Sequence, residues 1–207
     1  MRNDARARYC LYGSSGGRKY LNIGERRRFA RATKRAATDV RLFCLTLYFC
    51  GGRISEVLAL TPATIDLDAN VIVIRTLKRR QAGIMRQVPL PRTHLAEMNR
   101  YFHIRKQQRD PVTADTRLWR WSRTTAYRRV KEVMVTAGVS ASAAMPKGLR
   151  HGFGVNATAS RVPQHLIQRW LGHASPETTA IYCDVCGPDE RQVASRMWRR
   201  DRASHAV

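Results

Sequence analysis

Three short segments carry side chains that could act together on a charged ester. The first is Gly52-Arg53-Ile54-Ser55-Glu56-Val57-Leu58-Ala59-Leu60. The second is Leu149-Arg150-His151-Gly152-Phe153-Gly154. The third is Leu171-Gly172-His173, with Tyr182 nine residues beyond it. Attack on a phosphodiester places extra negative charge on its non-bridging oxygens. Arg53 and Arg150 offer planar, bidentate donors suited to those oxygens. Donors held where charge develops usually supply the largest catalytic contribution, and losing one costs about 10²–10³ in rate. Tyr182 offers a phenol oxygen whose ordinary pKa is about 10, and cations around it favour the phenolate as nucleophile. His173 could donate to a phosphate oxygen or take the tyrosine proton. Lys78, first in the run Lys78-Arg79-Arg80, could protonate the leaving oxygen. Each residue alone also has an ordinary reading. Arg53 fits a surface helix and Tyr182 a core. A Lys-Arg-Arg run fits a solvated turn, from which Arg79 or Arg80 rather than Lys78 could point inward.

The surrounding pattern supplies elements to hold these groups. Glu25 to Ala37 reads as a charged helix. Asp39 is a plausible N-cap for a helix from Val40 to Cys50, apolar nearly all round and therefore buried. Gly51-Gly52 breaks it, and Arg53 to Leu60 forms a short helix. Residues 70–77 are β-branched and strand-like. A glycine turn lies within 79–86, and Gln87 to Pro91 returns as a strand whose prolines suit a sheet edge. Arg92 to Gln108 is predicted helical, with Leu95, Met98 and Phe102 at helical spacing. Leu118 to Trp121 reads as a short strand. Ser122 caps a helix running to Ala137, closed by Gly138. Further helices are expected at about 148–160, after Pro146, and from Pro163 to Leu171, stopped by Gly172. Ser175 is read as the N-cap of another, with Pro176 at its first position. Pro188 to Trp198 makes a last candidate helix. Trp119, Trp121, Trp170 and Trp198 read as packing residues. The predicted class is α+β, mainly helical, with one small antiparallel sheet.

Composition narrows the partner. Lys and Arg number 38 against 15 Asp and Glu, a net charge of +23. That excess exceeds what solubility requires, about 2–8 for a small domain, and points to a polyanion, with nucleic acid first. The first 35 residues hold eleven of the cations and two acids. Arg123, Arg128, Arg129 and Lys131 lie on the Ser122–Ala137 helix and are candidates for phosphate contact, as are Arg79 and Arg80. No apolar run reaches the roughly 20 residues that span a bilayer, and no secretory signal is evident, so no membrane partner is expected. Five scattered cysteines argue against a disulfide framework and for a reducing cytosol, bacterial cytosol or nucleoid. Cys183 and Cys186 make half a zinc site without a second half, so no metal and no cofactor is expected. No phosphate-binding loop for ATP appears.

Taken in order and spacing, the three segments resemble the tyrosine recombinase (phage integrase) family over roughly Tyr20 to Trp198. The resemblance implies that Arg53 and Arg150 are the two catalytic arginines. It implies Lys78 as the β-hairpin lysine, His173 as the His/Trp position and Tyr182 as the nucleophile. Glu56 and His151 fall on supporting positions, His151 as a buttress to a neighbour. One position departs: the pattern H-x-x-R usually begins with His, and Lys147 stands there, followed by Gly148 in place of the usual acid. Lysine keeps a donor and a charge but not a neutral imidazole's acid–base behaviour, which bears on turnover. It also leaves open a second reading, a weak or inactive recombinase-like DNA-binding regulator.

The polar, basic, Gly/Ser-rich start reads as a flexible arm (1–19). A catalytic domain (20–187) follows, and then a C-terminal tail (188–207) that is a candidate for docking on a neighbouring protomer, the alternative being packing on its own domain. The resemblance implies double-stranded DNA as substrate, a tetramer in the synapse and mostly monomer without DNA. In size the chain resembles short fimbrial-type invertases, which brings an accessory DNA-bending protein or a partner recombinase into view.

Overall fold

The structure, a computed structural model, describes residues 11–14, 16–76, 83–184, 190–191 and 194–195. Helix α1 (Ile23–Ala32) begins where the Asn22 side chain accepts from the Glu25 amide at 2.8 Å. The Glu25 carboxylate accepts from the Asn22 amide at 3.0 Å, so two end donors are satisfied reciprocally. A tight turn at Thr33–Arg35 ends it, short of the expected Ala37. Helix α2 (Thr38–Cys50) starts two residues earlier than expected. Ala37 takes the N-cap, and Asp39 sits in the first turn, where its charge suits the helix dipole. Gly51 closes α2 at φ 61°, a left-handed conformation that favours glycine. Helix α3 (Ile54–Leu58) follows at once.

Three antiparallel strands, β1 (Ile65–Asp66), β2 (Val71–Arg75) and β3 (Met85–Pro89), pair in chain order, with Ile72 opposite Val88. Ile72, Ile74 and Val88 turn inward on alternate positions, as a half-buried sheet demands. Pro89 ends β3 on the sheet edge, where no ladder donor is missed. The two-residue β1 was too short for a pattern to reveal.

The single helix expected over Arg92–Gln108 is two, α4 (Arg92–Phe102) and α5 (Ile104–Gln107), divided by His103 at φ 53°. A short α6 (Pro111–Ala114) follows. Leu118 to Trp121 is not a strand. The Leu118 amide bonds to the Leu60 carbonyl, and Trp119 is anchored by its side chain, edge-on to Phe43 and Phe102 with Nε1 donating to the Asp39 carbonyl at 3.0 Å. Ser122 caps α7 (Arg123–Thr136) as expected. The remaining elements are α8 (Pro146–Ala159), α9 (Gln164–Leu171), α10 (Glu177–Ala180) and a tight turn at Ile181–Cys183. Pro176, not Ser175, takes the N-cap of α10.

Helix α2 is the axis of the core and packs against α1, α3, α4, α7 and α8. Its Leu42, Phe43 and Leu47 are buried, each contributing about 1.5–3 kcal/mol of burial free energy. A second, smaller cluster gathers Leu11, Tyr20, Val155, Ile167, Leu171 and Tyr182. Leu11, within the 1–19 segment read as an arm, packs in this cluster. Leu11 is buried, Tyr12 bridges Arg18, and the Leu21 amide donates to the Gly148 carbonyl. Residues 1–10, Trp198 and most of the 188–198 segment lie outside the described residues. Among the described residues no helix is long and apolar enough to cross a membrane.

Candidate active site

One face of α8 carries much of the site. Lys147, Arg150, His151 and Gly154 recur at the three- and four-residue spacing that stacks side chains along one side of a helix. The adjoining face fixes that helix in place. A Cβ on Gly148 would meet the Ala143 carbonyl at 2.1 Å, and one on Gly152 the Leu21 carbonyl at 2.5 Å, so the helix seats directly on backbone.

Arg150 is buried, and its guanidinium donates to two helix-end carbonyls, Gly51 at 2.9 Å and Leu171 at 2.6 Å. It thereby ties the ends of α2 and α9 to α8. Burial, then the nearby Arg53 cation, lowers its pKa to about 10, which leaves it charged at neutral pH. Arg53 stands at the N-cap of α3, with its side chain 32% exposed, and donates to Glu56 at 2.7 Å. Glu56 is buried and receives a second cation, Arg86, at 2.7 Å. Burial works to raise the Glu56 carboxyl, yet Arg86 and Arg53 hold it below the ordinary value. Arg86 also donates to the Trp170 carbonyl at 2.9 Å and to Thr76 Oγ1 at 3.2 Å. One ion-pair chain thus joins β3, α3 and the end of α9.

Tyr182 lies in the Ile181–Cys183 turn and is 1% exposed. Its ring fills the space that Gly154 leaves open: a Cβ there would lie 2.4 Å from the Tyr182 ring. The hydroxyl is 3.2 Å from His151 Nδ1, and the His173 ring stacks on the tyrosine at 6.1 Å and 22°. His173 Nδ1 is 2.9 Å from Thr179 Oγ1. Burial pushes the Tyr182 hydroxyl up to about 12 against the pull of Arg150 and Arg53. Burial, with Lys147, Arg150 and Lys19, pushes His151 down to about 4. At neutral pH the pair is a neutral phenol facing a neutral imidazole.

A cleft of about 650 Å³ is lined by Arg53, Arg123, Lys147, Arg150, His173 and Tyr182. Of the helix cations singled out from sequence, only Arg123 reaches it. Arg128 is exposed away from the cleft, Arg129 faces Glu132 at 3.3 Å, and Lys131 donates to the Ala144 carbonyl at 2.8 Å. Lys78, Arg79 and Arg80 lie outside the described residues. Three site residues escaped the sequence reading. Arg86 sat unmarked in a basic hairpin and Thr179 in a polar helix. Gly154 carried one signal, a glycine inside a helix, which costs about 1 kcal/mol unless something needs the space.

The phage integrase family profile matches residues 20–186. Tyrosine recombinase XerA of Pyrococcus furiosus is 30% identical over 159 residues, covering 75% of this chain and 54% of that protein. Type 1 fimbriae regulatory protein FimE of Escherichia coli is 31% identical over 172 residues, covering 80% of this chain and 85% of that protein. The chain spans about half the length of its XerA relatives. Among solved structures, XerA recombinase aligns with a TM-score of 0.70 at 23% identity, over 86% of this chain and 64% of that one. XerH site-specific recombinase bound to its difH substrate aligns at 0.69 and 21%, over 90% and 59%. These two likenesses show the fold, which is that of the XerA and XerH recombinases.

Proposed function

The chain belongs to the phage integrase family, and we propose that it cuts and rejoins double-stranded DNA at defined sites through a 3′-phosphotyrosyl intermediate on Tyr182. One observation supports this above others: Arg53, Lys147, Arg150, His173 and Tyr182, drawn from three distant segments, line one cleft together with Arg123. In this reading Arg53 and Arg150 bind the non-bridging oxygens, and their mounts on Glu56 and on two carbonyls preorganise them. The Tyr182 oxygen bonds to phosphorus as the bond to the 5′ oxygen breaks. Lys78 protonates that leaving oxygen. The phosphotyrosyl link keeps the bond energy, so rejoining needs no ATP. His173 stacks on Tyr182 and donates to the phosphate, while Lys147 adds charge at the mouth.

The same reading makes the synaptic assembly a tetramer on two DNA sites and the DNA-free protein a monomer, with a bending protein or partner recombinase as accessories. The test is covalent trapping. The protein is expressed in its host, lysed in detergent, and SDS-resistant adducts are recovered and their DNA sequenced, with Tyr182→Phe alongside. Adducts at a few defined sequences, absent from the Phe variant, are expected. Intact DNA binding without adducts would overturn the cutting activity and leave a DNA-binding regulator.

A further inference from the structure

One group within hydrogen-bond reach of the candidate nucleophile's oxygen is on neither the His173 nor the Lys147 side chain. It is Nδ1 of His151, 3.2 Å from the Tyr182 hydroxyl, with the two rings 5.9 Å apart. We propose, resting on the strand-cutting reading above, that His151 is a catalytic residue that takes the Tyr182 proton as the phenol oxygen attacks phosphorus.

Four features of the site lead there. Tyr182 is seated from its sides: Gly154 gives its ring a place on α8, and His173 lies nearly parallel against it. The hydroxyl is thereby carried to the next turn of the same helix, where His151 sits. The cations that line the cleft with the tyrosine offer it no acceptor. Arg53 and Arg150 are guanidinium groups with donors only, and the Lys147 ammonium also has no acceptor. His173 already engages Thr179 through Nδ1 and presents its face to the phenol. A neutral imidazole with its hydrogen on Nε2 has a lone pair on Nδ1, the atom that faces the hydroxyl.

The charges around His151 couple its basicity to substrate. Lys147 and Arg150 approach it from its own helix, Lys19 from the N-terminal segment and Tyr182 from the turn packed on it. The three cations disfavour an imidazolium. A phosphodiester seated in the cleft lies against Lys147 and Arg150 and offsets their charge, so substrate arrival raises the basicity of His151. Without DNA the tyrosine stays a protonated phenol.

The step balances within the chain and its substrate. The Tyr182 O–H bond breaks, and its proton passes to Nδ1. The phenol oxygen's electron pair forms the P–O bond, and the P–O5′ bond breaks. The leaving pair goes to the 5′ oxygen, which takes its proton from the general acid assigned above to Lys78. On rejoining, the His151 imidazolium returns its proton to the tyrosine.

The test is the single-turnover rate of adduct formation on a duplex carrying a trapped sequence, measured against pH for wild type and His151→Gln. The glutamine carbonyl can accept the tyrosine hydrogen bond but cannot remove the proton. We expect the variant to bind the duplex with wild-type affinity and to form adducts about 10²–10⁴-fold more slowly. The wild-type rate should be flat around neutrality and fall in acid as His151 protonates, whereas the variant's rate should rise with hydroxide. Replacing Tyr182 by a ring-fluorinated tyrosine, a stronger acid, should help the variant far more than the wild type. A glutamine variant cutting at the wild-type rate overturns the assignment. So does a slow variant that fluorination helps no more than the wild type, since that marks a purely positional role. Wild-type protein that forms no adduct overturns the cutting reading and this inference together.

Discussion

Arg86 carries a load that its position in a basic hairpin conceals. Its side chain is 3% exposed, and its guanidinium neutralises a carboxylate that is 1% exposed. Breaking a buried pair costs about 3–5 kcal/mol, and here Arg53 stays on Glu56, which holds the loss to about the lower end of that range. Arg86→Met should therefore lower stability by that order in urea unfolding and loosen Arg53 through Glu56. The pH dependence has a definite sign. Glu56 is more acidic folded than its ordinary value of 4.5. Its stabilising contribution is complete above the unfolded value and is lost as pH falls through the folded one. Glu56→Gln should thus lower Tm at neutral pH yet show a shallower fall in Tm between about pH 5 and 3 than the wild type. Gly154 makes a cleaner functional probe. Gly154→Ala adds a methyl where the Tyr182 ring lies, 2.4 Å away. Alanine's helix propensity, worth up to about 1 kcal/mol, offsets part of the crowding. Adduct formation should fall by about tenfold or more as the hydroxyl leaves its register, with DNA affinity retained in a shift assay.

At the scale of elements, what holds the site is a set of helix ends. Arg150 reads the C-termini of α2 and α9, and Gly51 and Gly172 turn the chain there at φ 61° and 64°. These ends were legible because glycine punctuates them and apolar periodicity precedes them. Ser122 as a cap, the buried α2 and the β2–β3 hairpin were legible for the same kind of local reason. The break at His103 was not. Leu95, Met98 and Phe102 keep helical spacing up to it, and histidine gives no warning of a left-handed turn. The strand expected at Leu118–Trp121 failed because its aromatics bury by side-chain anchoring, which mimics strand composition. Arg53, Arg150, His173 and Tyr182, which line one cleft, could be picked out by type and order, but not the contact between His151 and Tyr182, which joins α8 to a turn 31 residues later. The His103 break yields its own prediction. A non-glycine residue at φ 53° carries steric strain of about 1–2 kcal/mol. His103→Gly relieves it at some entropic cost to the folded state, so the net gain should be up to about 1 kcal/mol. Thermal melts would show it, and an unchanged or lower Tm would mean that the His103 side chain repays its own strain.

For the whole molecule the question is how a +23 chain distributes its charge. Among the described residues ion pairs engage Arg18, Arg41, Arg53, Arg86, Arg105 and Arg129. Those on the exposed surface are worth little to stability, and the excess of cations remains to act on a partner. Neutralising phosphates releases counterions, so affinity for duplex DNA should fall steeply with salt. With about 6–10 phosphates contacted, the loss is about 10³–10⁵ between 50 and 200 mM. Position then matters more than total charge. Arg123 lines the cleft, whereas Arg105 is exposed, paired with Asp68 at 2.5 Å, and is not among the cleft's lining residues. Arg123→Ala should weaken binding to any duplex about equally and reduce the slope of log K against log salt by about one. Arg105→Ala removes the same formal charge and should leave that slope unchanged. Fluorescence anisotropy over a salt series measures both. Equal losses of slope would mean that the protein grips DNA by its overall field. A loss confined to Arg123 would mean that the duplex lies across the cleft, with a phosphate close enough for Tyr182 to reach.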